Sequence, residues 1–194
     1  MSRQVAFSLP RGLIVSCQAE PGSPLRESRI IAAMAQAAEL GGAVGLRIQG
    51  VADIKAARVV TRLPIIGLIK RPVAGSPVYI TPTLADALAV VDAGADVVAI
   101  DATDRLRPEP LDWMVAGLQR RGVPALADVS TLAEGRQAVA LHMDYLSSTL
   151  SGYTPYSRQS PGPDLELVRE LCTLGVPVLA EGRIATPEQA KMAL

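Results

Sequence analysis

Aromatic side chains are scarce in this chain: they make up 3% of 194 residues, with one Trp and one Phe. Proteins that hold single-stranded nucleic acid stack bases on several aromatic platforms, and this sequence cannot supply them. Histidine is reduced to His142, and the two cysteines, Cys17 and Cys172, lie far apart. Zinc sites are clusters of these residue types at short spacings, so no metal site is expected. Both thiols read as reduced, in a cytoplasmic protein. Charge of one sign is lacking too. Lys plus Arg and Asp plus Glu number 19 each, so no global field draws the chain to nucleic acid or to an anionic membrane. No apolar run approaches the roughly 18 to 20 residues that cross a bilayer, and a soluble protein is expected. No GxGxxG follows the first apolar run, which removes the main support for a dinucleotide-binding Rossmann domain.

What is present is rhythm. Hydrophobic residues form 49% of the chain, enough for one domain over residues 1–194 with a core of Ala, Val, Leu and Ile. Short, nearly continuous apolar runs recur at 13–18, 43–49, 64–70, 96–103, 124–130, 144–151 and 177–183. Runs of that kind are parallel strands covered on the outside by helices. Between them lie segments of helical period. Thr83 to Asp86, Thr131 to Glu134 and Thr186 to Gln189 have capping-box form, while Gly41, Gly94, Gly122 and Gly175 are placed to close helices. The echo of GVPALADVS in GVPVLAEGR marks an internal β/α repeat, which leaves a barrel or an open doubly wound sheet.

The polar residues favour the barrel. In a (β/α)8 barrel the working groups sit at the C-terminal ends of different strands and converge on one mouth. Gln18, Arg47, Lys70, Asp101, Asp128 and Glu181 each stand at the end of a separate apolar run. Any one of them alone would read as loop chemistry, and Asp101, between ATD and RPEP, most of all; the set carries the argument. His142, near the end of a helix, reads as a surface residue compensating the helix dipole, and Cys17 as packing.

Lys70 and Glu181, on the third and seventh runs, are candidates for an opposed acid and base. An ammonium holds or protonates a developing alkoxide, and a carboxylate removes a proton from the carbon beside a carbonyl. That pairing suits an epimerisation and needs no redox cofactor. Arg47 offers a fork for a carboxylate, amide or phosphate oxygen, and Asp128 is a candidate to orient Lys70 or to bind a sugar hydroxyl. Gly182, Arg183 and the helix begun by Thr186 and Pro187 offer backbone donors and positive charge to a phosphate. A strand-end lysine also serves aldolases and lyases that form Schiff bases, which is the alternative reading of Lys70.

Taken together, LIVSCQ, GLRIQGV, PIIGLIKR, ITPTL, DVVAIDAT, ADVST and AEGRI-x-TPEQA resemble the N-acetylmannosamine-6-phosphate 2-epimerase family from about Gly12 onward. The resemblance implies a TIM barrel without an obligatory cofactor, acting in the cytoplasm in amino-sugar and sialic acid catabolism. It implies interconversion of N-acetylmannosamine 6-phosphate and N-acetylglucosamine 6-phosphate by a proton shuttle at C2. Lys70 and Glu181 then match the catalytic pair, and Gln18, Arg47 and Asp128 match substrate-contacting or catalytic positions. A family member would continue past the TPEQA helix with an eighth β/α unit, so a barrel one unit short is expected. Its open edge invites pairing with another copy, and a non-catalytic sugar-phosphate binder is a further alternative. The stretch 151–164, SGYTPYSRQSPGPD, has the length and composition of a mobile lid.

Overall fold

The computed structural model describes residues 7–194. Strands β1 (Ile14–Cys17), β2 (Gly45–Gln49), β3 (Ile65–Leu68), β4 (Val97–Asp101), β5 (Ala125–Asp128), β6 (Tyr145–Ser147) and β7 (Val178–Leu179) alternate with seven helices. The helices are α1 (Ser28–Leu40), α2 (Val51–Val60), α3 (Leu84–Asp92), α4 (Leu111–Arg120), α5 (Leu132–Ala140), α6 (Leu165–Cys172) and α7 (Pro187–Ala193). The strands form one parallel sheet in the order β1-β2-β3-β4-β5-β6-β7. It is a (β/α) barrel of seven units. Among the described residues β1 and β7 each have a strand neighbour on one side only. No helix of the described residues is long and apolar enough to cross a membrane.

The alternation of side chains along a strand divides the core in two. Leu46, Ile48, Ile65, Val98, Ile100, Ala125, Ala127 and Leu146 face outward and pack against Ile31, Ile54, Val90, Met114 and Leu171 on the helices. Their neighbours Ile66, Leu68, Val97, Ala99, Leu126 and Tyr145 fill the barrel interior. Both faces of every central strand are therefore buried, which is why those segments read as unbroken apolar runs. Gly67 lets the outer layer close: a Cβ there would stand 2.5 Å from the Ala95 Cβ.

The three capping boxes form as their sequences predict, at Thr83 with Asp86, Thr131 with Glu134 and Thr186 with Gln189. At the C-terminal ends, Gly94, Gly122 and Gly175 carry positive φ values of 109°, 67° and 78°. Two endings differ from expectation. Gly41 is right-handed, and the left-handed step falls on Gly42 at φ 90°. His142 lies just beyond α5 rather than on it, at φ 61°, so it takes the left-handed position that glycine takes elsewhere.

Candidate active site

Sheet register sets the rows of the site. Asp101, Asp128, Ser147 and Leu179 are partners across β4 to β7. Glu181 lies two residues beyond Leu179, a spacing that returns to the same face. Ser16, Arg47 and Ile66 form a neighbouring row across β1 to β3. Arg47 is thus the third residue of β2, inside the strand and lower in the barrel than a strand-end residue.

A cavity of about 1330 Å³ opens over this surface. Of the six strand-end residues expected at the mouth, Gln18, Arg47, Lys70 and Glu181 line it, and so do Gly182 and Arg183, expected at a phosphate. Asp128, with a fully buried side chain, lies outside its lining and is tied in through Arg47. The Arg47 guanidinium donates to both Asp128 oxygens, at 3.2 and 2.6 Å, and its Nε stands 3.1 Å from Glu181 Oε1. This fork is therefore occupied by carboxylates of the protein. Burial alone would pull the guanidinium down, but Asp128 and then Glu181 outweigh it and hold it above its ordinary value.

Glu181 retains 27% of its side-chain exposure, at the cavity. Burial pushes its carboxyl up and Asp128 adds to that, while Arg47, the Thr149 hydroxyl and Lys70 pull the other way; the net direction is upward. Its backbone is fixed by Ser148, whose Oγ accepts from Glu181 N at 3.1 Å and donates to Glu181 O at 2.9 Å.

Lys70 does not simply end a strand. Past β3 the chain leaves the parallel ladder and forms an antiparallel bridge from Lys70 to Ile80. Arg71 N donates to Tyr79 O at 3.0 Å and Thr81 N to Ile69 O at 2.7 Å. Thr81, fully buried, holds φ at 45°, a conformation that is costly for a β-branched residue. Its hydroxyl accepts from Ile69 N at 3.2 Å, so the strained residue anchors the segment that presents Lys70. The ammonium lies 3.7 Å from Glu20 Oε1. Asp128 does not orient it, since the Asp128 oxygens are taken by Arg47 and Thr149.

Arg183 stands at φ 58° beside Gly182 at φ 99°. Its guanidinium lies 5.8 Å from the Tyr153 ring and its Nε is buried without a partner. A Cβ on Gly152 would take the place of Arg183 Nη1, so the glycine makes the room that this side chain fills. Gln18 Oε1 and Gln49 Oε1 are also buried without partners. Both side chains line the cavity, and acceptors left open in this way suit the hydroxyl or amide donors of a ligand.

Asp101 does not line the cavity. It accepts from Thr103 N and Oγ1 at 3.1 and 2.6 Å and from Arg105 Nη2 at 2.5 Å. It organises the loop after β4. Among the cavity residues that the sequence does not single out are Gln49, Tyr79, Thr149 and Tyr153. Gln49 ends the GLRIQ run and could have been found by the strand-end rule; the others follow no spacing that would have picked them out.

The family described as "Putative N-acetylmannosamine-6-phosphate epimerase" matches residues 31–194. The Brucella melitensis "Bifunctional enzyme NanE/NanK" is 47% identical over 194 residues, covering 100% of this chain and 38% of that protein. The chain thus spans well under half of that relative. A Clostridium perfringens protein described as a 2-epimerase in the same terms is 49% identical over 185 residues, covering 94% of this chain and 84% of that one. The solved structure of N-acetylmannosamine-6-phosphate 2-epimerase from Clostridium perfringens superposes with a TM-score of 0.93 at 45% identity, over 100% of this chain and 87% of that one. Deoxyribose phosphate aldolase from Aeropyrum pernix, at TM-score 0.65 and 20% identity, shares the fold alone.

Proposed function

This chain belongs to the N-acetylmannosamine-6-phosphate epimerase family, and from that premise we propose that its cavity inverts C2 of N-acetylmannosamine 6-phosphate to give N-acetylglucosamine 6-phosphate. In this reading Lys70 and Glu181 are the acid and base pair. One takes the C2 proton, the electron pair moves toward the C1 carbonyl oxygen, and a proton returns to the opposite face of C2. No net oxidation occurs, and the residues supply the whole exchange.

The observation that carries the proposal is that an ammonium and a carboxyl from different parts of the barrel line one cavity, in a chain of this family. The upward displacement of the Glu181 carboxyl brings its proton affinity closer to neutral pH, which suits a group that must both take and give. Arg183, with no carboxylate partner among the described residues, is the cation assigned to the phosphate together with Gly182. Gln18 and Gln49 are assigned to the sugar hydroxyls or the acetamido N–H, and Asp128 to holding Arg47. We place the reaction in the cytoplasm, a reading that fits two free cysteines.

Incubating the protein with N-acetylmannosamine 6-phosphate in deuterated water tests this. Deuterium at C2 of the recovered sugar phosphates is the expected outcome. No incorporation at high protein concentration overturns the activity, and borohydride trapping of a covalent adduct on Lys70 would replace it with Schiff-base chemistry.

A further inference from the structure

The Thr149 hydroxyl is the point where the two carboxyls of the site meet. Its Oγ1 lies 2.9 Å from Asp128 Oδ1 and 3.1 Å from Glu181 Oε2, with Ser147 Oγ 2.6 Å away. A hydroxyl has one proton and two lone pairs. Ser147 is fully buried, and among the described residues its hydroxyl has no hydrogen-bond partner except Thr149, so its proton points there. One Thr149 proton is then left for two carboxyls.

With Glu181 protonated, every donor finds an acceptor: Glu181 donates to Thr149 and Thr149 donates to Asp128. With Glu181 ionised, the Thr149 proton can turn to Glu181, because Asp128 keeps both of its bonds from Arg47. Resting on the assignment of Glu181 as an acid–base group, we propose that Thr149 is its positioning residue. Thr149 secures Oε2 while Arg47 secures Oε1, and it reverses its own hydrogen bond whenever the glutamate loses or regains a proton. The adjacent Ser148 fixes the Glu181 backbone, so two consecutive residues after β6 hold both parts of one glutamate.

The charged groups acting on Glu181 are Arg47 from β2, Asp128 from β5 and Lys70 from the segment after β3. Lys70 is itself faced by Glu20 from the loop after β1. Thr149 is the uncharged member, so it can be altered without changing the net charge of the site. The bond Thr149 gives the ionised carboxylate is charge-assisted and stronger than the one it accepts from the neutral acid, so its loss should raise the proton affinity of Glu181.

The test is a carbon-13 carboxyl NMR titration of Glu181 in the ligand-free protein, run on wild type, Thr149→Val and Thr149→Ser. The valine variant should titrate at higher pH and the serine variant close to wild type. In rate profiles, the limb that belongs to the carboxyl should move the same way. A valine variant whose Glu181 titrates with wild type, or whose activity falls equally at every pH, overturns the proposal. Glu181→Gln separates the two claims. Wild-type C2 exchange in that variant removes Glu181 from catalysis, and in that case the titration, not the rate profile, decides the role of Thr149.

Discussion

Arg47 is buried to 3% side-chain exposure between two carboxylates, one of them fully buried. Withdrawing all three charges from water is expensive, and the arrangement persists because the guanidinium meets Asp128 with two parallel bonds. Removing the cation alone should therefore be severe. Arg47→Met leaves Asp128 buried without a countercharge, and a loss of about 3–5 kcal/mol in urea denaturation is expected. Glu181 behaves in the opposite sense. A carboxyl whose proton affinity is raised by folding costs stability once ionised, so that stability falls as pH rises from the ordinary glutamate range through its folded pKa. Glu181→Gln should accordingly melt at or above the wild-type temperature at pH 7, and the two proteins should converge in acid, where the glutamate is neutral. Thermal melts at the two pH values check this.

Among the elements, α5 has the most heavily used start. The Glu134 carboxylate accepts from Thr131 N at 2.9 Å to close the capping box, from Ser130 N and Oγ at 2.7 and 2.8 Å, and from Asp104 N at 2.9 Å. Tyr156, in the loop between β6 and α6, donates at 2.9 Å to Oε1, the oxygen that also accepts from Asp104, while Ser130 and Thr131 share Oε2. Burial and this bond push the phenol up to about 12. Glu134→Ala should cost about 2–3 kcal/mol or more, from the lost cap and the orphaned N–H groups. In that variant Tyr156 should ionise nearer the ordinary tyrosine range in an ultraviolet absorbance titration. The helix starts were legible in the sequence because a capping box is a local contract between residues three apart. The extra load on Glu134 was not, since Asp104 and Tyr156 reach it from distant segments. The same limit hid the setting of Lys70. PIIGLIK looks like one strand, but its last residues leave the ladder to pair with Ile80, under the direction of a left-handed Thr81 that no composition rule anticipates.

At the scale of the molecule, seven parallel strands in chain order were readable because both faces of each strand are buried and the repeat recurs. Convergence of four of the six strand-end residues on one cavity follows from that topology, since parallel strands bring their C-terminal ends to one side. What the repeat does not encode is which charges cancel. Asp128 reads in the sequence as a group free to meet a ligand, yet its buried carboxylate accepts both bonds of the Arg47 guanidinium, which reaches it from β2, three strands away. Three arginines of the cavity wall are engaged in this way: Arg26 with Asp53, Arg47 with Asp128 and Glu181, and Arg71 with Asp86. Arg183 has no carboxylate partner among the described residues, only Ser160 Oγ at 3.5 Å and the Tyr153 ring. An interior that neutralises most of its cations from within selects by what it leaves unmatched: under the proposed function a bare sugar would bring nothing to meet Arg183, whereas a phosphoester would deliver the missing anion and be retained.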